Sequence, residues 1–179
     1  MRKLVYSLTN SLDNFIARPD GGADWILMGD EIMSEFPKIY ASFDAVLIGR
    51  KTYDRTLQMS PEAGQEMAGF MEMKTYVFSR TMKESPTAGV QIISENAGEF
   101  VRSLKSESGK DIWLMGGGIL AASLLRERLV DEIGVAIQPV LLGSGIPLFP
   151  DIGMQLDLQM LECKTYKNGI VGLKYSVKN

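Results

Sequence analysis

The sequence predicts one α/β domain. A mostly parallel sheet carries helices on both faces, and an antiparallel hairpin closes one edge. Three observations predict it. Short apolar runs at residues 45–48, 75–78, 90–93 and 112–115 have the length and content of buried strands. Segments with apolar residues at helical spacing alternate with them. Late in the chain, Lys167-Asn168-Gly169 separates two alternating runs, a strong hairpin signal.

The elements follow in order. Residues 3–8 read as a first strand. Residues 10–22 read as a long loop whose turn is Pro19-Asp20-Gly21-Gly22. Ile32, Phe36, Ile39 and Tyr40 recur at helical spacing and predict a helix ending before Asp44. The strand at 45–48 follows. Residues 60–69 read as loop or weak helix, with strands at 75–78 and 90–93 beyond. Phe100, Val101 and Leu104 mark a helix over 96–105, broken by Ser108-Gly109-Lys110. A strand at 112–115 runs into three glycines, and a helix at 119–126 follows. Residues 133–140 form a strand interrupted at Pro139, and 143–151 are punctuated by Gly and Pro. The hairpin pairs 156–166 with 170–177. No repeat or linker divides the 179 residues, so a single domain is expected.

Composition narrows the chemistry. A formal net charge of −3 argues against a generic nucleic-acid binder. No apolar run approaches a membrane span, and the N-terminus lacks a signal-peptide core, so a cytoplasmic protein is expected. With one cysteine, Cys163, no internal disulfide can form. With no histidine, Ser-His-Asp and Cys-His catalysis and His-ligated metals are excluded, and no metal site is expected. Any proton must come from a carboxylate, Lys, Tyr or water. The eleven methionines read as core filler, with Met67, Met71 and Met73 as an alternative pocket wall.

The most informative stretch is the strand that ends at Gly116-Gly117-Gly118 and turns directly into a helix. Such a turn exposes backbone N–H groups and the positive end of a helix dipole. It either binds a phosphate or flat ring, or merely makes a tight turn. Gly49-Arg50-Lys51-Thr52 adds a second strand end, with two cations and a hydroxyl where a helix should start. Cations do not suit that helix's own dipole, so a bound anion is suggested; solvated side chains are the alternative. A third strand ends in Ser79-Arg80. In open α/β sheets, ligands lie beyond the carboxyl ends of the strands, so one nucleotide-shaped ligand across this edge is expected. Gly116-x-Gly118-x-x-Ala121 formally matches a dinucleotide fingerprint. The acid required about 20 residues on is absent, since position 136 is Ala136.

Taken together, Ser11-Leu-Asp-Asn-Phe-Ile-Ala17, Gly49-Arg-Lys-Thr-Tyr53, Ser79-Arg80, Met115-Gly-Gly-Gly118 and Gly145-Ile-Pro-Leu-Phe-Pro-Asp151 resemble the dihydrofolate reductase-like family. Within it, the chain is most similar to the reductase domain of the bacterial bifunctional riboflavin-pathway deaminase/reductase and its stand-alone relatives. The likeness spans nearly the whole chain and implies a three-layer αβα fold and NADPH as cofactor. It implies that Arg50 and Arg80, with Ser79, take the 2′-phosphate beside Gly49. Lys51, Thr52 and the backbone of Gly117, Gly118, Ile119 and Leu120 would hold the pyrophosphate. Ile16, Ala17, Met115 and Gly116 would cradle the nicotinamide, with a cis peptide at Gly116-Gly117.

The implied activity is hydride transfer to a C=N bond of a pterin- or pyrimidine-like substrate. If the likeness extends to activity, the substrate is a ribosylamino-pyrimidine phosphate, its ribose reduced to ribitol. Zinc deaminase chemistry lacks its ligands here. Dihydrofolate reductase, a reductase of another small heterocycle, and a non-catalytic NADPH-binding or ligand-sensing protein are the alternatives. On the substrate side, counting from Trp25 places the family's helix carboxylate at Asp30, whereas counting back from Gly49 places it at Met33. Trp25 and Asp30 are the expected substrate-side residues; Asp30 is the first choice of acid, Glu31 and Glu35 are candidates, and solvated helix-start acids are the alternative. A homodimer is expected, because the relatives are dimers and the last strand offers an edge that needs cover.

Overall fold

The computed structural model describes residues 1–59 and 73–178. The expectation for residues 60–69, and those for Met67 and Met71, lie outside them. Met73 is buried in the core.

Eight strands form one sheet in the order β5-β4-β3-β6-β1-β7-β10-β9. Their ranges are β1 Leu4–Ser11, β3 Phe43–Gly49, β4 Lys74–Phe78, β5 Val90–Ile93, β6 Asp111–Gly116, β7 Glu132–Gln138, β9 Leu158–Thr165 and β10 Val171–Val177. The first six strands in that spatial order pair in parallel. β10 pairs antiparallel with β7 and with β9, so the late hairpin forms the antiparallel edge as expected. Gly169 turns it with φ +88°, a conformation that favours glycine.

Alternation along the central strands feeds two cores. Leu4, Tyr6, Ala45, Leu47, Ile112 and Leu114 point to one face, where α4 (Ala97–Ser106) and α5 (Gly118–Arg126) cover them. Val5, Val46, Ile48 and Val77 point to the other face, where Tyr53 of α3 (Arg50–Met59) packs. α4 starts where Asn96 caps it, its Oδ1 accepting from the N–H groups of Gly98 and Glu99.

Two expectations are corrected. The single helix before Asp44 is two short ones, α1 (Asp30–Met33) and α2 (Phe36–Tyr40). Pro37 has no N–H to donate, and its ring would meet the carbonyl four residues back, so one continuous helix cannot pass through it. Residues 10–22 are not all loop. β2 (Phe15–Ala17) pairs with β8 (Ile146–Pro147) in a separate two-stranded sheet. Gly145 permits this: a Cβ there would collide with the carbonyl oxygen of Ala17.

The N-terminal edge of the sheet is fastened by charges satisfied within the chain. Arg2, almost fully buried, donates to Asp44, the Lys110 carbonyl and the Leu104 carbonyl. Lys105 donates to Asp131 and to the Leu129 carbonyl. The buried Glu132 accepts from both Lys3 and Lys174. The C-terminal edge is built differently.

Candidate functional site

At the C-terminal edge, β4, β3 and β6 end side by side. Gly49 lies opposite Phe78 on one side, and Ile48 lies opposite Gly116 on the other. Arg50 and Ser79 therefore leave adjacent strands at the same level. The Gly116-Gly117 peptide is cis, as the resemblance implied. Backbones here approach too closely for side chains. A Cβ on Gly49 would lie 3.2 Å from the nitrogen of Gly117, and one on Gly117 would lie 2.9 Å from Thr52 Oγ1. Gly118 is hemmed in by Pro150 and the Pro147 carbonyl. Arg126 holds that 147–152 loop by donating to the carbonyls of Asp151 and Ile152.

α5 starts from this turn with no side-chain cap at Gly117, so its first N–H groups face outward unsatisfied by any side chain. Ile119 beside them is 73% exposed. α3 starts at Arg50, and its rotation is fixed by buried Tyr53, whose hydroxyl bonds Ser85 Oγ at 2.6 Å and Thr87 Oγ1 at 2.9 Å. Thr52 then faces Gly117. Lys51 and Arg80 are exposed, and neither forms an ion pair among the described residues. Arg50 is paired with Asp54 one helical turn on, at 2.6 Å. Ser79 is buried, and its Oγ accepts from the N–H groups of Thr81 and Met82, which shapes the turn carrying Arg80.

Ile16 and Ala17 sit in β2, held over the strand ends by the pairing with β8. The carboxylate of Asp13 ties the same flap to the opposite loop. It accepts from Ser11 Oγ, and from the N–H groups of Leu142 and Gly143, which lower its pKa. Asn10 Oδ1 and Trp25 Nε1 are buried close to full depth without a partner among the described residues. A buried polar atom left unpaired is costly, so each marks a place where a bound group or water would be satisfied.

A cleft of about 640 Å³ opens on the α3 side of the sheet. Ser7 and Thr9 of β1, Gly134 and Ala136 of β7, and Gly172 of β10 form part of its floor. Ile32, Phe36 and Tyr40 of the two short helices form one wall. Phe36, Tyr40, Trp113 and Phe43 stack in sequence at 5.4–6.2 Å, with the Trp113 indole donating to the Ser7 carbonyl at 2.9 Å. The rim beyond β10 is polar. Glu35 accepts from Lys164 Nζ through Oε1 and from Tyr166 Oη at 2.7 Å through Oε2. Lys164 also stands over the Tyr166 ring, 4.8 Å from its centre. Burial raises the Tyr166 pKa, helped by the charges of Glu162 and Glu31.

Asp30 stands apart from this cleft. It opens α1 exposed and does not line this cleft; Glu35 is the α1–α2 acid that does. The reason is the break before Pro37. It makes Glu35 the N-cap of a new helix, yet its side chain caps nothing there and crosses to the hairpin instead. Trp25, though buried, also lies outside the cleft lining. Lys164, Tyr166 and Lys174 were missed. The signal for Lys164 and Tyr166 was the period-two row Glu162-x-Lys164-x-Tyr166, and for Lys174 the row Gly172-x-Lys174-x-Ser176, each polar on a face that would otherwise be expected to bury.

The RibD C-terminal domain family model matches residues 2–172. The chain belongs to that family. Two Bacillus subtilis (strain 168) proteins, both uncharacterised, share its length. YyaP is 35% identical, covering 97% of this chain and 94% of YyaP. YwjB is 32% identical, covering 94% and 95%. Among solved structures, a Shewanella sp. PV-4 protein linked to riboflavin biosynthesis superposes with a TM-score of 0.83 at 23% identity, covering 99% of both chains. The Thermotoga maritima diaminohydroxyphosphoribosylaminopyrimidine deaminase/5-amino-6-(5-phosphoribosylamino)uracil reductase gives 0.72 at 14% identity, with 99% of this chain on 57% of that one. Enterococcus faecalis dihydrofolate reductase, complexed with NADP(H), gives 0.71 at 14%, covering 99% and 97%. The fold of this RibD C-terminal domain is therefore dihydrofolate reductase-like.

The edge of this RibD-type domain fits a dinucleotide on its own geometry. The glycine cradle would be filled by any Cβ, an uncapped helix start supplies N–H donors, and cations stand on two neighbouring strand ends. Among the described residues no cluster of acids, Cys or His could hold a metal ion, and no helix is long and apolar enough to cross a membrane.

Proposed function

We propose that this RibD-type domain is an NADPH-dependent reductase acting on a C=N bond of a pyrimidine- or pterin-like heterocycle. The observation that carries the reading is the convergence of Gly49, Thr52 and the Gly116-Gly117 turn, flanked by Arg50 and Arg80. When bound, NADPH would supply the hydride. The chain's own part is placement. Arg50 and Arg80 would grip the 2′-phosphate, Lys51, Thr52 and the α5 start the pyrophosphate, and the β2 flap would cover the nicotinamide with Ile16 and Ala17.

The substrate would lie in the adjacent cleft, its ring against the aromatic wall and its polar edge toward Glu35. Three lysines line the cleft: Lys164 is committed to Glu35, Lys174 to Glu132, and Lys38 is matched in number by Glu162. That charge balance favours a neutral heterocycle in the cleft itself. It makes 5-amino-6-(5-phosphoribosylamino)uracil, the substrate in the name of the Thermotoga relative, the more demanding assignment.

The test is a turnover screen with NADPH against dihydrofolate, dihydropterins and 5-amino-6-(5-phosphoribosylamino)uracil. Oxidation dependent on one of them supports the reading and identifies the class. Tight NADPH binding with no turnover would instead favour a sensor. Failure to bind NADPH at all would overturn the proposal.

A further inference from the structure

Arg50 and Asp54 form an ordinary-looking pair one helical turn apart, each about one-third exposed. Pairs of that kind contribute little to stability. The details of the contact point elsewhere. Both carboxylate oxygens of Asp54 address the same donor, Arg50 Nε, at 2.6 and 2.7 Å. Neither Nη group of Arg50 makes a hydrogen bond to the described residues. A guanidinium has five N–H donors in a rigid fork, and Asp54 engages the single one at the base. The four donors at the tips stay available, and the planar group is held against rotation.

The place of the pair matters as well. Buried Tyr53, anchored to Ser85 and Thr87, fixes the rotation of α3, so Arg50 and Asp54 share one flank while Thr52 faces Gly117. Arg50 leaves β3 beside the point where Ser79 and Arg80 leave β4. An arginine held by its Nε, with its tips open beside a second cation, is arranged for a doubly bonded phosphate.

We infer that Asp54 is a positioning residue for cofactor choice: it holds Arg50 so that both Nη groups face the 2′-phosphate of NADPH. This rests on the NADPH reading above. Asp54 has no bond to the phosphate and acts through Arg50. The sign of its effect is the discriminating feature. A carboxylate that merely sat near the phosphate would repel it, so its loss would tighten binding. A carboxylate that orients the arginine makes its loss weaken binding, because a freed side chain must be ordered anew.

The experiment is calorimetric titration of adenosine 2′,5′-bisphosphate and AMP, with NADPH and NADH in parallel. The proteins are wild type, Asp54→Ala, Asp54→Asn, Asp54→Glu, Arg50→Ala and the Arg50→Ala/Asp54→Ala double variant. Asp54→Ala and Asp54→Asn are expected to weaken the bisphosphate about five- to tenfold and leave AMP unchanged. Asp54→Glu, which keeps the charge, should restore part of the loss. In the Arg50→Ala background, where Asp54 has no arginine left to hold, its removal should bring no further loss. Asn keeps the shape of Asp, and circular dichroism of each variant separates misfolding from loss of binding. Equal or tighter bisphosphate binding in Asp54→Ala, with the preference still lost in Arg50→Ala, overturns this inference alone. No preference for the bisphosphate over AMP in wild type overturns it together with the NADPH reading beneath it.

Discussion

Substituting Gly49 by Ala probes the cofactor edge most directly. Gly49 has no left-handed φ among the positive-φ glycines, so alanine suits its backbone and space alone decides the outcome. The new Cβ would stand 3.2 Å from the Gly117 nitrogen, 3.6 Å from the Gly116 oxygen and 3.8 Å from Leu120 Cβ. The tightest contact is with backbone, which cannot turn aside as a long side chain would. Overpacking of this kind costs about 1–3 kcal/mol. Replacing glycine inside a strand returns roughly 0.5–1 kcal/mol.

The net loss is then about 0–2.5 kcal/mol, a fall in Tm of up to roughly 10 °C for a domain of this size. Gly172→Ala is the control. Its Cβ would meet Tyr166 at an ordinary 3.5 Å, so neutral or raised stability is expected there. The functional readout is the rise in Tm on adding NADPH. At a concentration 100 times Kd, wild type should gain about 2.7 kcal/mol. Gly49→Ala displaces the Gly116-Gly117 turn and should lose most of that gain, whereas Gly172→Ala should keep it. Thermal scans with and without NADPH measure both. A Gly49→Ala protein with wild-type Tm and wild-type response to NADPH would refute the claim that this contact shapes a cofactor site.

Three further outcomes are expected. Asn96→Ala removes the acceptor that caps α4 and should cost about 0.5–2 kcal/mol in urea denaturation, with NADPH binding unchanged. Burial by itself would raise the pKa of Glu132, but hydrogen bonds from Lys174 and Lys3 outweigh it and hold the carboxyl below its ordinary 4.5. Its stabilising contribution is therefore complete above pH 4.5 and is lost as pH falls through the folded value. Glu132→Gln leaves two lysines that are about half exposed and stay hydrated, so it should lower stability at pH 7 by about 1–2 kcal/mol and flatten the acid limb of the stability–pH curve; an unchanged limb would refute the assignment. We also propose that β9 forms the contact of a homodimer, since Leu158, Met160 and Leu161 are 39, 55 and 50% exposed on an edge strand. Light scattering should show a dimer in wild type and a monomer in Leu161→Lys; a monomeric wild type would dispose of the idea.

Local information determined much of this protein. Strand β5 has the bounds its apolar run predicted, Asn96 caps the helix it was expected to open, and Asn168-Gly169 turns the hairpin. The glycine turn and the cations at neighbouring strand ends were also legible, because steric freedom and charge belong to single residues. What each element touches was not. β1 pairs with β6 and β7, more than a hundred residues away, and periodicity reports that a strand exists without naming its neighbours. The β2–β8 pair was hidden because each strand is too short to show a period. The acid at the cleft was undecidable for the same reason. Asp30, Glu31 and Glu35 look alike along the chain, and the ambiguity ends where a break before Pro37 turns Glu35 toward a lysine and a tyrosine on the distant hairpin. The sequence determined which groups were present and which local shapes they could take. Tertiary structure alone decided which of those groups meet, because the contacts that build the cleft join segments with no sequence relation to one another.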